Sequence, residues 1–93
     1  MRVRYSRRAL VRLEDIFAYI ARNNPNAAAA VVRRVEALAL FLLGEHPAIG
    51  RPTDKEGVRV MSVRPYPYIL FYKVLAERDE VRILRVRHTA RRS

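Results

Sequence analysis

The sequence contains no cysteine, so it can form neither a disulfide framework nor a thiolate metal site. This absence fits a reducing compartment, and we expect a cytoplasmic protein. The two histidines, His46 and His88, lie far apart and lack the spacing typical of metal ligands. We therefore expect no metal site.

Glycine and long apolar runs are also scarce. None of the three glycines belongs to a glycine-rich phosphate-binding motif, so the sequence predicts no nucleotide cofactor and we expect none of any kind. The longest uninterrupted apolar run, residues 37–43, is far shorter than the roughly 20 residues of a membrane span. We expect no membrane partner. Zinc-finger and basic-zipper motifs are missing as well.

Positive charge is abundant by contrast. Nineteen basic residues oppose nine acidic ones, which gives a formal net charge of +10, and only Lys55 and Lys73 are lysines. An excess of this size indicates a surface that meets phosphate or an acidic partner. The preference for arginine over lysine is equally typical of a GC-rich genome and carries less information. At 93 residues the chain is expected to form one domain, 1–93.

The first half of the chain predicts a short strand followed by two helices. Residues 1–5 alternate apolar and basic side chains, which is typical of a strand with one buried face. Ser6 is a good helix N-cap, and Asn24 followed by Pro25 ends one helix and starts the next. Gly44 is placed to form a left-handed cap at the end of the second helix.

The second half predicts three antiparallel strands after a turn-rich loop. The strands span residues 58–64, 68–75 and 81–87, and two prolines between the first pair enforce a turn. The middle run is nearly all apolar, which suits a strand buried on both faces. We thus predict an α+β fold of order β-α-α-β-β-β, four strands in all, with a helix hairpin on one face of a small, mostly antiparallel sheet.

The expected core combines the apolar stripes of both helices with apolar strand residues. Its members are Val3, Leu10, Leu13, Phe17, Ile20, Val31, Val35, Leu38, Leu42, Ile69, Phe71, Ile83 and Val86.

Three segments in order carry a family resemblance. They are residues 45–52 (EHPAIGRP), residues 64–74 (RPYPYILFYKV), and residues 83–88 (ILRVRH) followed after two positions by Arg91. With the Asn-Pro helix junction, they resemble the ParE/RelE superfamily of bacterial type II toxins. The resemblance covers essentially the whole chain. It implies a cytoplasmic toxin neutralised by a cognate antitoxin whose extended C-terminal segment wraps the toxin.

The superfamily divides by target, and the sequence looks closer to the ParE branch. ParE-like members inhibit DNA gyrase and are not nucleases, whereas RelE-like members cut messenger RNA on the ribosome. Nuclease relatives often carry an acid and an aromatic residue where this chain has Thr53 and Thr89. The resemblance therefore implies a gyrase inhibitor from a plasmid stabilisation module. A general nucleic-acid-binding domain without toxicity would use the same charges through counterion release.

The two branches assign different roles to the late strands. A metal-free endonuclease needs a general base, a general acid and cations on the phosphoryl oxygens. The candidates are Glu56 or Asp54 as the base, His88 as the acid, and Arg64 and Arg85 as the cations. A binding protein needs only a cationic surface. The expected target-binding residues are Arg59, Arg64, Tyr66, Tyr68, Arg85, Arg87 and Arg91.

The strand period makes a geometric prediction about this last strand. Arg85 and Arg87 are two residues apart and should share one face of the sheet, while His88 should point to the other.

Overall fold

The computed structural model describes residues 1–90, which form two helices packed on one face of a five-stranded mixed sheet. The elements are β1 (Arg2–Tyr5), α1 (Arg7–Ala21), α2 (Pro25–Gly44), β2 (Arg51–Pro52), β3 (Arg59–Ser62), β4 (Tyr68–Leu75) and β5 (Glu80–His88), with a short 3-10 turn at Ala76–Arg78. The sheet order is β1-β5-β4-β3-β2. Only β1 pairs in parallel, with β5, and the other described pairings are antiparallel. The predicted α+β architecture is confirmed.

Both helix starts follow the sequence prediction. Ser6 accepts a hydrogen bond from the backbone N–H of Ala9 at 3.0 Å, and Asn24 accepts one from Ala27 at 3.0 Å. These side chains satisfy donors that lack a partner in the first turn of a helix. Pro25 occupies the start of α2, where a missing N–H has no cost. The tight helix hairpin is therefore encoded locally.

The end of α2 differs from the prediction. Gly44 is the last helical residue and does not adopt a left-handed conformation, and Glu45 follows with φ of −140°. The N–H of Glu45 still donates to the carbonyl of Phe41 at 3.2 Å. The helix thus ends with an ordinary helical bond and without a left-handed residue, and the expected cap at Gly44 is wrong.

The sheet has one strand more than the four predicted. Within the turn-rich loop, Arg51 pairs with Val60 and Pro52 with Arg59, so that the short β2 extends the edge of the sheet. A proline is tolerated there because an edge strand has free backbone positions. Tyr72 fixes the same loop: its hydroxyl donates to the carbonyl of Pro47 at 2.7 Å and accepts from the N–H of Gly50 at 2.9 Å.

The core lies between the helix hairpin and one face of the sheet. Its fully buried centre contains Val35, Leu42, Leu70, Tyr72 and Ile83. Two strand residues expected there, Ile69 and Phe71, are only half-buried. They lie on the opposite face of β4, which no described element covers as a layer. The prediction that β4 is buried on both faces is therefore wrong.

Helix α1 also presents less of its apolar stripe to the sheet than expected. Ala9 and Ile16 are buried, whereas Leu10 is 48% and Phe17 is 40% exposed. Leu13 and Ile20 are half-buried at the margin of the core. The flank that carries Leu10 and Phe17 turns away from the sheet, so these two residues are not core residues.

A buried carboxylate holds the parallel edge of the sheet. Glu80 is 2% exposed, and its two oxygens lie 2.8 Å from Arg82 Nε and 3.5 Å from Arg4 Nε. Because β1 contributes Arg4 and β5 contributes the other two residues, the cluster joins the first strand to the last. Removing a single partner from such a cluster leaves a buried charge unsatisfied. None of the described helices is both long and apolar enough to cross a membrane.

Candidate target-binding surface

Two arginines of β5 pack over one aromatic ring on the open face of the sheet, the face opposite the helices. Arg85 pairs with Phe71 and Arg87 pairs with Ile69 across the β4–β5 ladder. The guanidinium carbons of Arg85 and Arg87 lie 5.4 and 5.3 Å from the centroid of the Phe71 ring. Both distances suit cation–π attraction. The prediction that Arg85 and Arg87 share a face is confirmed.

A bulge in β5 accounts for this placement. The register shifts between Phe71 and Tyr72, whose partners are Arg85 and Ile83, so Leu84 has no partner in β4. The extra residue allows Ile83 and Val86 to face the core while Arg85 turns outward. The carbonyl of Leu84 accepts a hydrogen bond from the Ser6 hydroxyl at 2.8 Å.

A third arginine, Arg8 at the start of α1, acts on the same site. Desolvation lowers the pKa of Arg85 below its ordinary value, and the like charges of Arg8 and Arg87 lower it further. Arg8 and Arg87 thus lie close enough to disfavour the charge of Arg85. Sequence reasoning missed Arg8 because tertiary contacts bring the start of α1 beside β5, among them the hydrogen bonds that Ser6 donates to the carbonyls of Ile83 and Leu84.

Arg85 and Arg87 line a cavity of about 260 Å³. We call it the arginine cavity, and its lining residues are Thr53, Asp54, Lys55, Val58, Phe71, Leu84, Arg85 and Arg87. The Nε atom of Arg87 is buried and has no hydrogen-bond partner among residues 1–90. Lysine and arginine outnumber the single carboxylate of Asp54 in this lining. The site can therefore attract and hydrogen-bond an anion.

His88 lies on the other face of the sheet, as predicted. Its ring meets Tyr68 edge to face, with centroids 5.3 Å apart and an interplanar angle of 83°. Its Nδ1 accepts a hydrogen bond from the backbone N–H of Ala90 at 3.1 Å. A separate cavity next to α1 contains both rings together with Asp15 and Tyr19. Because the sheet separates His88 from the Phe71 ring, the histidine is not placed to serve as a general acid beside Arg85.

Arg64 and Tyr66 lie in a third place, at the tip of the β3–β4 hairpin. They border a shallow depression with Arg33 and Arg34 of α2. The Nε of Arg34 donates to the carbonyl of Arg64 at 2.6 Å, which joins the hairpin tip to the helix. This cluster is cationic, but it is separate from the arginine cavity.

Arg59, Tyr68 and Glu56 do not join the arginine cavity. The Nη1 of Arg59 donates to the carbonyl of Gly50 at 2.7 Å, and Tyr68 is a buried core residue. Glu56 is exposed in the loop and does not line the cavity, whereas its neighbour Asp54 does. Arg91 lies outside the described residues. The nuclease set of Glu56, Arg64, Arg85 and His88 is thus distributed over several sites. Within residues 1–90, no cluster of three or more histidines and carboxylates could hold a metal ion.

An apolar groove of about 370 Å³ runs between the two helices and β1. Its lining residues are Tyr5, Leu10, Leu13, Glu14, Phe17, Val32 and Glu36. Burial raises the pKa of Tyr5 above its ordinary value, and the nearby Glu36 raises it further. The groove explains the exposed residues Leu10 and Phe17: they form a continuous apolar surface that a partner could cover.

Comparison with known proteins identifies the family. The model of the ParE toxin of the type II toxin-antitoxin system parDE matches residues 3–93. The chain belongs to the ParE toxin family. A Sinorhizobium fredii protein, "Putative toxin Y4kP", is 44% identical over 87 residues, which cover 94% of this chain and 86% of that protein. The chain is therefore a ParE/RelE superfamily toxin of a type II toxin-antitoxin system.

Solved structures agree with the ParE fold. A chain of the chromosomal ParDE system from Pseudomonas aeruginosa superposes with a TM-score of 0.81 at 23% identity, covering 95% of each chain. A chain of the toxin-antitoxin complex RelBE2 from Mycobacterium tuberculosis has a TM-score of 0.63 at 30% identity, covering 94% of this ParE chain and 95% of the other. The sheet and helix hairpin are shared by both branches.

Proposed function

We propose that this ParE-family toxin acts in the cytoplasm as an inhibitor of DNA gyrase. One observation supports the proposal most directly. Arg85 and Arg87 form a paired cationic surface over Phe71, while His88 lies on the opposite face of the sheet. A binding surface needs charge and shape, and it needs no general acid beside the cations. In this proposal the target contacts Arg85 and Arg87, with Arg91 beyond them.

The second candidate function is ribosome-dependent cleavage of messenger RNA. It is favoured by Asp54, which places a carboxylate in the same cavity as Arg85 and Arg87. A carboxylate beside two guanidinium groups could take a proton from a ribose hydroxyl. The candidate general acid, His88, is not part of this site, because it lies on the other face of the sheet. This difference lets one experiment separate the two functions.

We expect the purified toxin to block gyrase-catalysed supercoiling of relaxed plasmid DNA and to leave messenger RNA intact on translating ribosomes. Both reactions are measured with the same toxin preparation over the same concentration range. Gel electrophoresis reports supercoiling, and primer extension reports cleavage of the message. Message cleavage without any effect on supercoiling would contradict the gyrase proposal and favour the endonuclease.

We further propose that a cognate antitoxin from the same plasmid stabilisation module neutralises the toxin. Two of the matched solved structures come from a ParDE system and from a RelBE2 toxin-antitoxin complex. The apolar groove offers the surface that such a partner would cover with aliphatic side chains. Its rim carries Glu14 and Glu36, so the segment in the groove should bring basic residues there. Acidic residues of the partner should then contact the arginine cavity and the arginines at the tip of the β3–β4 hairpin.

Placing a charge in the apolar groove should weaken antitoxin binding. We expect Leu10→Asp to weaken it by about tenfold or more, because an aspartate would be desolvated in an apolar interface. Leu10 is already 48% exposed, so the variant should still fold. The matched control is Ile49→Asp, at a loop residue that is 52% exposed outside the groove.

The measurement is titration calorimetry with the antitoxin encoded beside the toxin. Equal losses of affinity in Leu10→Asp and Ile49→Asp would show that the groove is not the antitoxin site.

A further inference from the structure

Arg87 carries a donor that residues 1–90 leave unsatisfied. Its Nε is buried, and none of the described residues accepts a hydrogen bond from it. A buried charged group without a partner is costly, and native proteins rarely keep one. In a folded protein such a donor indicates that a ligand, an ion or a water supplies the acceptor.

The charges around Arg87 Nε favour an anion over a water molecule as its hydrogen-bond acceptor. The charged lining residues of the arginine cavity are Lys55, Arg85 and Arg87 against the single carboxylate of Asp54. Arg8 adds a further cation near Arg85. A water molecule would satisfy the hydrogen bond but would leave the repulsion among the cations unchanged. An anion satisfies the hydrogen bond and also relieves that repulsion.

The shape of the site selects the kind of anion. Cationic residues line the cavity from two different elements, because Lys55 comes from the loop after β2 while Arg85 and Arg87 come from β5. A tetrahedral oxyanion presents oxygens in several directions, whereas a carboxylate presents two oxygens in one plane. The face of Phe71 is covered by both guanidinium groups and is not free to stack on a base. The contact is therefore made to the backbone of a nucleic acid and not to its bases.

We propose that the arginine cavity binds a phosphodiester group of a nucleic acid strand and holds it without cleaving it. The strand stays intact because His88, the candidate general acid, lies across the sheet. The inference rests on the proposed function only for the origin of the strand: gyrase would present the phosphodiester as DNA. An RNA strand offers the same group, so the test includes both.

The test is the affinity of the toxin for three fluorescent probes over a range of salt concentrations. The probes are a short DNA duplex, a single-stranded RNA and polyglutamate. Arg87→Lys keeps the charge but removes the planar donor at Nε. Its matched control is Arg78→Lys, at an exposed arginine in the turn between β4 and β5. Arg87→Ala and Arg78→Ala form a second pair that also removes the charge.

We expect the wild type to bind nucleic acid, and Arg87→Lys to bind it about tenfold more weakly, the cost of one charged hydrogen bond. For the DNA duplex, Arg87→Ala should lower the slope of log affinity against log salt by about 0.9, the value for one lost phosphate contact. Arg78→Lys should bind like the wild type. The nucleic acid that binds more tightly identifies the source of the phosphodiester.

Three results would overturn the inference. They are unchanged affinity in Arg87→Lys, tighter binding of polyglutamate than of either nucleic acid, and cleavage of the RNA by the wild type. Because Arg87 packs on Phe71, the thermal midpoint of every variant is also measured with and without the duplex. The shift relative to each variant's own unbound midpoint reports binding even in a less stable protein.

The gyrase assay separates this inference from the proposed function. If Arg87→Lys binds DNA like the wild type while the wild type inhibits gyrase, only the phosphodiester inference fails. If the phosphodiester is bound as expected but gyrase is unaffected, only the proposed function fails.

Discussion

Replacing Arg85 and Arg87 together by alanine is expected to abolish growth arrest by the induced toxin, whereas His88→Ala should leave it intact. The two arginines share one face over Phe71, and His88 contacts Tyr68 on the other. Truncating buried or interfacial charges costs on the order of 10²-fold in affinity. Binding to gyrase should fall by that order in the double variant.

A nuclease would show the opposite pattern. Loss of a general acid typically lowers the rate by about 10² to 10⁴, even where substrate binding persists. Growth, DNA supercoiling and message cleavage are therefore measured side by side for both variants. Arg78→Ala serves as the control for loss of a single exposed positive charge. Message cleavage that disappears in His88→Ala would show that the toxin is an enzyme.

Gly50→Ala should destabilise the fold by about 3 kcal/mol, the upper range for overpacking a well-packed site. A Cβ added at Gly50 would lie 2.7 Å from the Tyr72 hydroxyl, 2.8 Å from the Tyr72 ring and 3.0 Å from the Val60 carbonyl. Tyr72 is fully buried and cannot move aside. The substitution would also disturb the two hydrogen bonds through which Tyr72 holds the loop before β2.

Gly44→Ala is the matched control for this substitution. Among residues 1–90, and apart from its chain neighbours and the backbone of its own helix, no atom lies within 4 Å of a Cβ added at Gly44, the last residue of α2. Alanine has a higher helix propensity than glycine, by up to about 1 kcal/mol. Gly44→Ala should therefore be as stable as the wild type or slightly more stable. Urea unfolding of both variants measures the difference, and equal midpoints would contradict the steric argument.

Local signals predicted the helices well because caps act within a few residues. Ser6, Asn24 and Pro25 have the roles that their chemistry requires, so both helix starts could be read from the sequence. The strand β4 could not be read in the same way. Side chains of a strand alternate between its two faces, and because nearly all residues of β4 are apolar, the sequence does not show which half of them faces the helices. Tyr72 enters the core because its hydroxyl finds partners in the loop, a contact that no strand pattern reveals.

The candidate site was predictable where it depends on spacing along one strand. A period of two places Arg85 and Arg87 together, and the structure confirms it. Arg59 and Arg64 do not lie with this pair. Arg59 donates a hydrogen bond to the loop carbonyl of Gly50, and Arg64 lies at the tip of the β3–β4 hairpin. Arg8 joins the site through tertiary packing alone. Charge composition thus indicated a cationic protein, but it could not divide the charges among separate surfaces.

The parallel pairing of β1 with β5 has a consequence for biosynthesis. The Ser6 hydroxyl donates a hydrogen bond to the Leu84 carbonyl, and Glu80 contacts Arg4. The first strand therefore gains its partners only when the last strand is present. The helix hairpin can form as soon as it leaves the ribosomal tunnel, since its contacts are local. The arginine cavity forms only after β5 has emerged. A nascent chain therefore lacks this cavity until its synthesis is almost complete, and a product that stops before β5 carries neither Arg85 nor Arg87.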